Sequence, residues 1–330
     1  MRIKQILCIP IYPCYEPFVA RQFAHNALEL QQKFNFDLIL AEYHGYETLY
    51  AGYFVKSRCP QVKFMPILWD PLTGSVAAKY LPRFYDRWKK ERSASKIFGK
   101  ADQIIAMKSS QAYHEKNSIQ KPYYPKIRYL DLPGIVRPCM REGDAPFIEK
   151  DKINIVYAGV LTYPDRDPKQ ILQVLNQTKY AKQINIIFFS IGNGIARAEE
   201  QKKDFQGTIH VSGYVDQATL ECVYSKADVL LNLGGPNPFA TPSKLFTYMS
   251  YGKPIISTYY IDNESSYQYL QQYRNGLCLD LRKAEPVMVE ELEAFLDQRL
   301  GTLVPFEEVA ELYSANTPGE YVRIIESLLH

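Results

Sequence analysis

Thr241-Pro-Ser-Lys-Leu-Phe-Thr-Tyr-Met-Ser-Tyr-Gly-Lys-Pro-Ile-Ile-Ser257 reads as a loop, a short helix, a helix stop and a buried strand. Pro242 and Ser243 open the helix, and the Ser243 hydroxyl is expected to cap its free N–H groups. Gly252 permits the left-handed turn that ends the helix, Pro254 blocks its continuation, and Ile255 and Ile256 start an apolar strand. A short helix wedged before a parallel strand aims its N-terminus at a cleft. Such an end, with Lys244 beside it, suits a diphosphate. The same spacing also fits an ordinary α/β unit without a ligand.

On either side of this stretch, short apolar runs alternate with helical patterns. Strands are expected at 6–11, 37–41, 64–69, 103–106 and 127–130. Helices are expected between them at 19–34, 46–56, 82–98 and 109–116. After an aperiodic segment at 134–150, containing Pro138, Gly143 and Pro146, the alternation restarts. Strands then fall at 154–157, 185–190, 208–212, 229–233, 254–258 and 276–280. Continuous short apolar strands between helices indicate parallel sheets covered on both faces. The reading is therefore α/β, with two doubly wound Rossmann-like domains, a cleft between them, and ligands at the carboxyl ends of the strands. The domains are placed at 1–140 and 141–312. A last helix, 313–330, crosses back to the first.

A chain of 330 residues suits two domains, and 46% hydrophobic with 23% charged residues is a globular balance. No apolar run has the length of a membrane span. The chain opens Met-Arg-Ile-Lys directly into a strand pattern, without a signal peptide's apolar region, so a cytoplasmic protein is expected. Cys8, Cys14, Cys59, Cys139, Cys222 and Cys278 form no Cys-x-x-Cys pair, which points to free thiols rather than a metal site or disulfide framework. Net charge is +3, but residues 1–150 carry +9 and residues 151–330 carry −6. The two halves are suited to different partners.

The order Pro-Ser-Lys-Leu-Phe-Thr-Tyr-Met, with Gly-Lys-Pro behind it, resembles the donor-site helix of GT-B glycosyltransferases. The resemblance is to the family 4 type in particular, whose members carry a Pro-Ser-Lys-Leu-Phe-Glu-Tyr-Met-like segment. It covers about 151–315 well and 1–150 less well. It implies a retaining, metal-independent hexosyltransferase that takes a nucleotide-diphosphate sugar, UDP favoured over GDP, with no cofactor. The implied acceptor is a glycan or lipid-linked molecule in bacterial cell-surface polysaccharide assembly.

Several positions take roles through that resemblance. Gly159 ends a strand where the backbone closely approaches the donor. The basic pair that touches the diphosphate falls on Val160 and Arg166, so only Arg166 keeps the charge. Gly192, in Ser190-Ile-Gly-Asn-Gly194, matches a glycine turn. Tyr214 and Val215 match a Gly-x-Val turn near the donor base. Pro242, Ser243 and Lys244 would hold the phosphates. The family's two glutamates fall on Phe239 and Thr247. Neither is acidic, and Thr247 offers only a hydroxyl.

In the first domain, Asp70 follows a strand where relatives carry His or Asp near the reacting sugar. A carboxylate there could bind a sugar hydroxyl or accept the acceptor proton; an Asp-Pro turn accounts for it equally. Glu42 and His44 would face the same cleft. The expected catalytic set is Asp70, Arg166 and Lys244. The first domain looks abbreviated, since Pro13-Cys-Tyr-Glu-Pro17 stands where a glycine-rich loop would be.

The stretch 79–100 interleaves eight basic residues with Tyr80, Phe84, Tyr85, Trp88 and Phe98. It reads as a basic amphipathic helix suited to an anionic membrane surface, or as a solvated face over a core stripe. Nucleic acid is not an expected partner, because the other half is acidic. The rival readings are a non-catalytic or partner-dependent subunit with a glycosyltransferase fold, and a sugar-nucleotide epimerase. A protein partner or homo-oligomer goes with the first of these.

Overall fold

A computed structural model describes residues 12–73, 81–116, 118–140, 142–238 and 242–330, without the side chains of 118–120. The strand expected over 6–11, Cys8, Lys79, Tyr80, Phe239 and Thr241 lie outside the described residues. The chain forms two compact units. One holds the described residues up to Asp131 together with Gly319–His330, and the other holds Leu132–Pro318.

In the first unit, α1 (Pro17–Phe34), β1 (Leu38–Glu42), α2 (Tyr46–Arg58), β2 (Lys63–Leu68), α3 (Arg83–Lys100), β3 (Ile104–Met107), α4 (Gln111–Lys116) and β4 (Ile127–Leu130) follow in order. The strands are parallel and lie in the order β1-β2-β3-β4. β2 and β3 are almost wholly buried, which explains their uninterrupted apolar sequences. Phe64, Leu68, Ile97, Phe98 and Ile104 form the core between sheet and helices. The final helix α12 (Pro318–Leu329) belongs here, and its buried Tyr321 donates its hydroxyl to the Asp131 carbonyl at 2.9 Å.

One face of α3 is as basic as its sequence suggests. Phe84 and Trp88 are 76% and 49% exposed, and Arg92, Lys96 and Lys100 continue the same i, i+4 strip in the open. Lys90 departs from the expected surface. It is buried, its Nζ is 3.1 Å from Asp86, and Asp86 also accepts from the Tyr12 hydroxyl. An ammonium in the interior needs a carboxylate four residues before it, and the helix supplies one.

The second unit runs β5 (Ile153–Val160), α5 (Lys169–Leu175), β6 (Ile184–Ile191), α6 (Ile195–Gln201), β7 (Thr208–Ser212), α7 (Gln217–Lys226), β8 (Val229–Leu233), α8 (Ser243–Ser250), β9 (Ile255–Tyr259), α9 (Ser265–Leu270), β10 (Gly276–Asp280), α10 (Glu285–Arg299) and α11 (Phe306–Leu312). Its parallel sheet has the order β10-β9-β8-β5-β6-β7. The chain leaves β5 toward β6 and β7, then crosses to β8 on its other side. That makes the β5/β8 boundary the topological switch point. Ile155 and Tyr157 of β5 enter one core, Val156 and Ala158 the other, so the strand is buried on both faces.

The aperiodic segment that reads as a linker has no regular structure, but it is not free. Ile135 is buried in the second unit and its N–H donates to the Asn316 carbonyl at 3.0 Å. Gly134 lies so close to Phe246 that a Cβ there would stand 2.6 Å from the Phe246 Cβ. Cys14, Cys59, Cys139, Cys222 and Cys278 are all free thiols, and burial pushes Cys278 up to about 12.

Candidate functional site

The carboxyl ends of β5, β6, β7 and β8 and the start of α8 enclose a cavity of about 430 Å³. Of the residues expected to hold a donor, Gly159, Arg166, Tyr214, Val215, Pro242, Ser243 and Lys244 line it. They come from three separate segments, after β5, after β7 and at the start of α8, brought together at the switch point by the sheet order.

Two tyrosines that sequence reasoning missed build the floor. Tyr248 is fully buried; its hydroxyl accepts from the Ala158 N–H at 3.1 Å. Lys244, one helical turn earlier on the same face, donates from Nζ to the Ala158 carbonyl. α8 is thus pinned to the end of β5 by an i, i+4 pair, a spacing visible in the sequence. Tyr157 donates to the Val160 carbonyl at 3.0 Å and lies within hydrogen-bonding reach of Arg166, which opposes the rise that burial gives its pKa.

Two cations line the cavity, Arg166 and Lys244. Arg166 forms an ion pair with neither flanking acid, and Asp167 is instead bound to Arg197 at 3.0 Å. Among the described residues neither Arg166 nor Lys244 is in an ion pair. Burial, and then the charge of Arg166, pull the Lys244 pKa below its ordinary value. Two cations are therefore held near each other in a partly desolvated pocket, an arrangement that an anion would relieve.

The Ser243 cap is not formed. Pro242 is the N-cap residue, Ser243 is the first helical residue, and no side chain caps the helix. A hydroxyl already inside the first turn no longer reaches back over the orphan N–H groups. That end of α8 is consequently left open at the cavity that Ser243 and Lys244 line. Gly252 does end the helix, at φ +68°, packed against the Val304 carbonyl.

Gly192 and Thr247 are not in the cavity wall. Gly192 has φ +115° and abuts the Leu161 carbonyl, which makes it a turn residue. Thr247 is one turn further along α8 and half-buried. Asp70 belongs to the first unit, exposed just past β2, where crowding by surrounding protein raises its carboxyl pKa. Near the ends of β1 and β2, His44 Nε2 is 3.4 Å from Glu42 Oε1, and Trp69 Nε1 donates to the same oxygen.

No protein-family model and no curated protein sequence matches this chain. Solved structures do. A UDP-forming α,α-trehalose-phosphate synthase from Burkholderia xenovorans, in complex with glucose-6-phosphate, superposes with a TM-score of 0.64 at 9% identity, over 94% of this chain and 77% of that one. The fold is GT-B. A UDP-GlcNAc 2-epimerase from Neisseria meningitidis bound to UDP-GlcNAc shares it, with a TM-score of 0.54 and 12% identity over 94% of this chain and 80% of that one. So does a lipopolysaccharide outer core galactosyltransferase, with a TM-score of 0.52 and 13% identity over 94% and 79%. Both sheets of the chain are of the parallel Rossmann-like kind that GT-B requires. Identities this low establish the GT-B architecture, and activity has to be argued from the site.

Proposed function

We propose that the protein is a glycosyltransferase that binds a nucleotide-diphosphate sugar, UDP-linked in preference to GDP-linked, at the α8 cavity. The observation that carries this reading is the pair Arg166 and Lys244, two cations that among the described residues are in no ion pair, beside a helix end that no side chain caps. A diphosphate supplies the charge this arrangement lacks, and donors fixed in advance stabilise the negative charge that grows on the leaving group. Tyr214, Val215 and Leu220 offer the base an apolar edge at the far side of the cavity.

In this reading transfer is retaining and metal-independent of the family 4 type, and the acceptor is a glycan or lipid-linked molecule of cell-surface polysaccharide assembly. Asp70 positions the sugar or acceptor. The exposed strip of α3 meets the anionic inner face of the cell membrane, where such acceptors reside. Pro242 and Ser243 flank the phosphates, and Gly159 gives them close backbone approach. Gly192 and Thr247, which do not line the cavity, are given no direct contact in this reading.

The test is calorimetric titration with UDP, GDP and their common sugars. Micromolar binding of one nucleotide series is expected, weakened at least about tenfold in Arg166→Ala and in Lys244→Ala, as for loss of a charge-assisted contact. Incubation of the bound nucleotide sugar with acceptor then reads the chemistry. Release of the nucleotide supports transfer, whereas a changed sugar still attached to it would establish an epimerase. No binding by folded, monodisperse protein would overturn the reading in favour of a partner-dependent subunit.

A further inference from the structure

A second cavity of about 450 Å³ adjoins the first, and the two share Arg166 and Leu233. Its wall comes from the loop before α5, from α5 itself, and from the ends of β8, β9 and β10. The polar residues on it include Asp165, Lys169, Gln170, Gln173, Tyr260 and Glu285. Arg166 is close enough to act electrostatically on Tyr157 on one side and on Tyr260 and Glu264 on the other. It therefore stands where the cavities meet.

Two glycines follow β8 at that junction. Gly234 donates its N–H to the Thr258 carbonyl at 2.9 Å, and a Cβ on it would run into that same carbonyl. A Cβ on Gly235 would stand 3.9 Å from Arg166 Nε. Gly234 thus lets the chain pass tightly against the end of β9, and Gly235 puts no side chain beside the guanidinium.

The chemistry of the wall is that of a polyhydroxyl ligand. The Asp165 carboxylate, the Lys169 ammonium and the Gln173 amide have no hydrogen bond or ion pair from their side chains among the described residues. Tyr260 is already committed, donating to the Asp165 carbonyl at 3.0 Å, as is Gln170, which donates to the Leu281 carbonyl at 2.6 Å. Carboxylate, ammonium and amide together serve hydroxyl groups, which donate and accept at once. Three carboxylates line it, Asp165, Glu285 and the Asp167 already paired with Arg197, and they are a poor match for an acidic sugar.

We propose that this second cavity receives the sugar end of the nucleotide sugar, and that the sugar is a neutral hexosyl group. Arg166 then lies on the diphosphate, with the nucleoside in the first cavity and the hexose in the second. Asp165, Lys169 and Gln173 make the sugar contacts that Phe239 and Thr247, in place of the family's glutamates, do not supply. This rests on the donor reading above.

Two measurements test it. A crystal structure of the protein with UDP-glucose should show the hexose against Asp165 and Gln173. Calorimetry with UDP, UDP-glucose and UDP-glucuronate should show a preference for the neutral sugar. Gln173→Ala and Asp165→Ala should weaken UDP-glucose about tenfold, the worth of a lost polar contact or two, while UDP binds within about twofold of wild type. Hexose density elsewhere with UDP in the first cavity, or equal losses for UDP and UDP-glucose, would overturn the sugar assignment alone. Unchanged UDP-glucose affinity in both variants would do the same. Failure of the wild type to bind UDP or either sugar would overturn the donor reading along with it.

Discussion

Lys244 shows how one residue can serve both architecture and chemistry. Its ammonium ties α8 to Ala158, yet it lines the cavity and shares it with Arg166. Its lowered pKa means that it gives up its proton at a less alkaline pH than a free lysine. Diphosphate affinity is therefore expected to fall as the pH rises through the alkaline range. In Lys244→Arg the fall should be largely absent, because a guanidinium stays charged. Titrations of UDP between pH 7 and 10 check this, and parallel curves for the two proteins would refute it. Arg166 was legible in the sequence as a lone cation after a strand. Its freedom from Asp167 was not, because that depends on Arg197 claiming Asp167 from thirty residues away.

At the scale of elements, α8 has a defined end that can be broken. Gly252 sits at φ +68° with the Val304 carbonyl against the space of its missing Cβ. Gly252→Ala should cost at least about 1–2 kcal/mol from the left-handed backbone alone, with the Val304 contact adding to it. Denaturant melts are the measurement. In the first unit, α4 carries His114, which is wholly buried, its Nδ1 3.0 Å from the Tyr129 hydroxyl and its Nε2 unpartnered among the described residues. Burial lowers its pKa from 6.5 to about 4. The unfolded chain thus takes up a proton that the folded chain refuses. Stability is full above pH 6.5, falls as the pH drops toward 4, and loses roughly 3 kcal/mol in all. Thermal melts across that window should be flatter for His114→Gln than for wild type. Helix and strand positions were readable from periodicity. The missing Ser243 cap was not, because a shift of one residue in a helix start lies within the scatter of any sequence signal.

At the scale of the whole molecule, the +9 of residues 1–150 has a visible outlet. Phe84, Trp88, Arg92, Lys96 and Lys100 form an exposed strip on α3, with the Arg92 guanidinium 5.6 Å from the centre of the Trp88 ring. The protein is expected to sediment with vesicles containing anionic lipid and to be released by salt. Charge reversal at Arg92 and Lys96 together should weaken this at least about thirtyfold, at about 1 kcal/mol per basic residue lost at the surface. Equal sedimentation with neutral vesicles would exclude the electrostatic account. Among the described residues no helix is long and apolar enough to cross a membrane.

The amino-acid sequence by itself determined the alternation of strand and helix, the parallel character of both sheets and the short helix at 243–250. These are encoded locally, in period, in apolar runs and in Gly and Pro punctuation, and they survive without any knowledge of what packs where. It also brought Arg166 and Lys244 under suspicion, through residue order. Only the tertiary structure decided which polar groups are spent and which are free. Lys90 is used up by Asp86, Gly192 by a turn, and the supposed linker by the core of the second unit. Tyr157 and Tyr248 gained roles as struts, and a second cavity came to share Arg166 with the first. The physical reason is that charge pairing and cavity shape depend on groups distant in the chain, and the sheet order alone sets which of them meet.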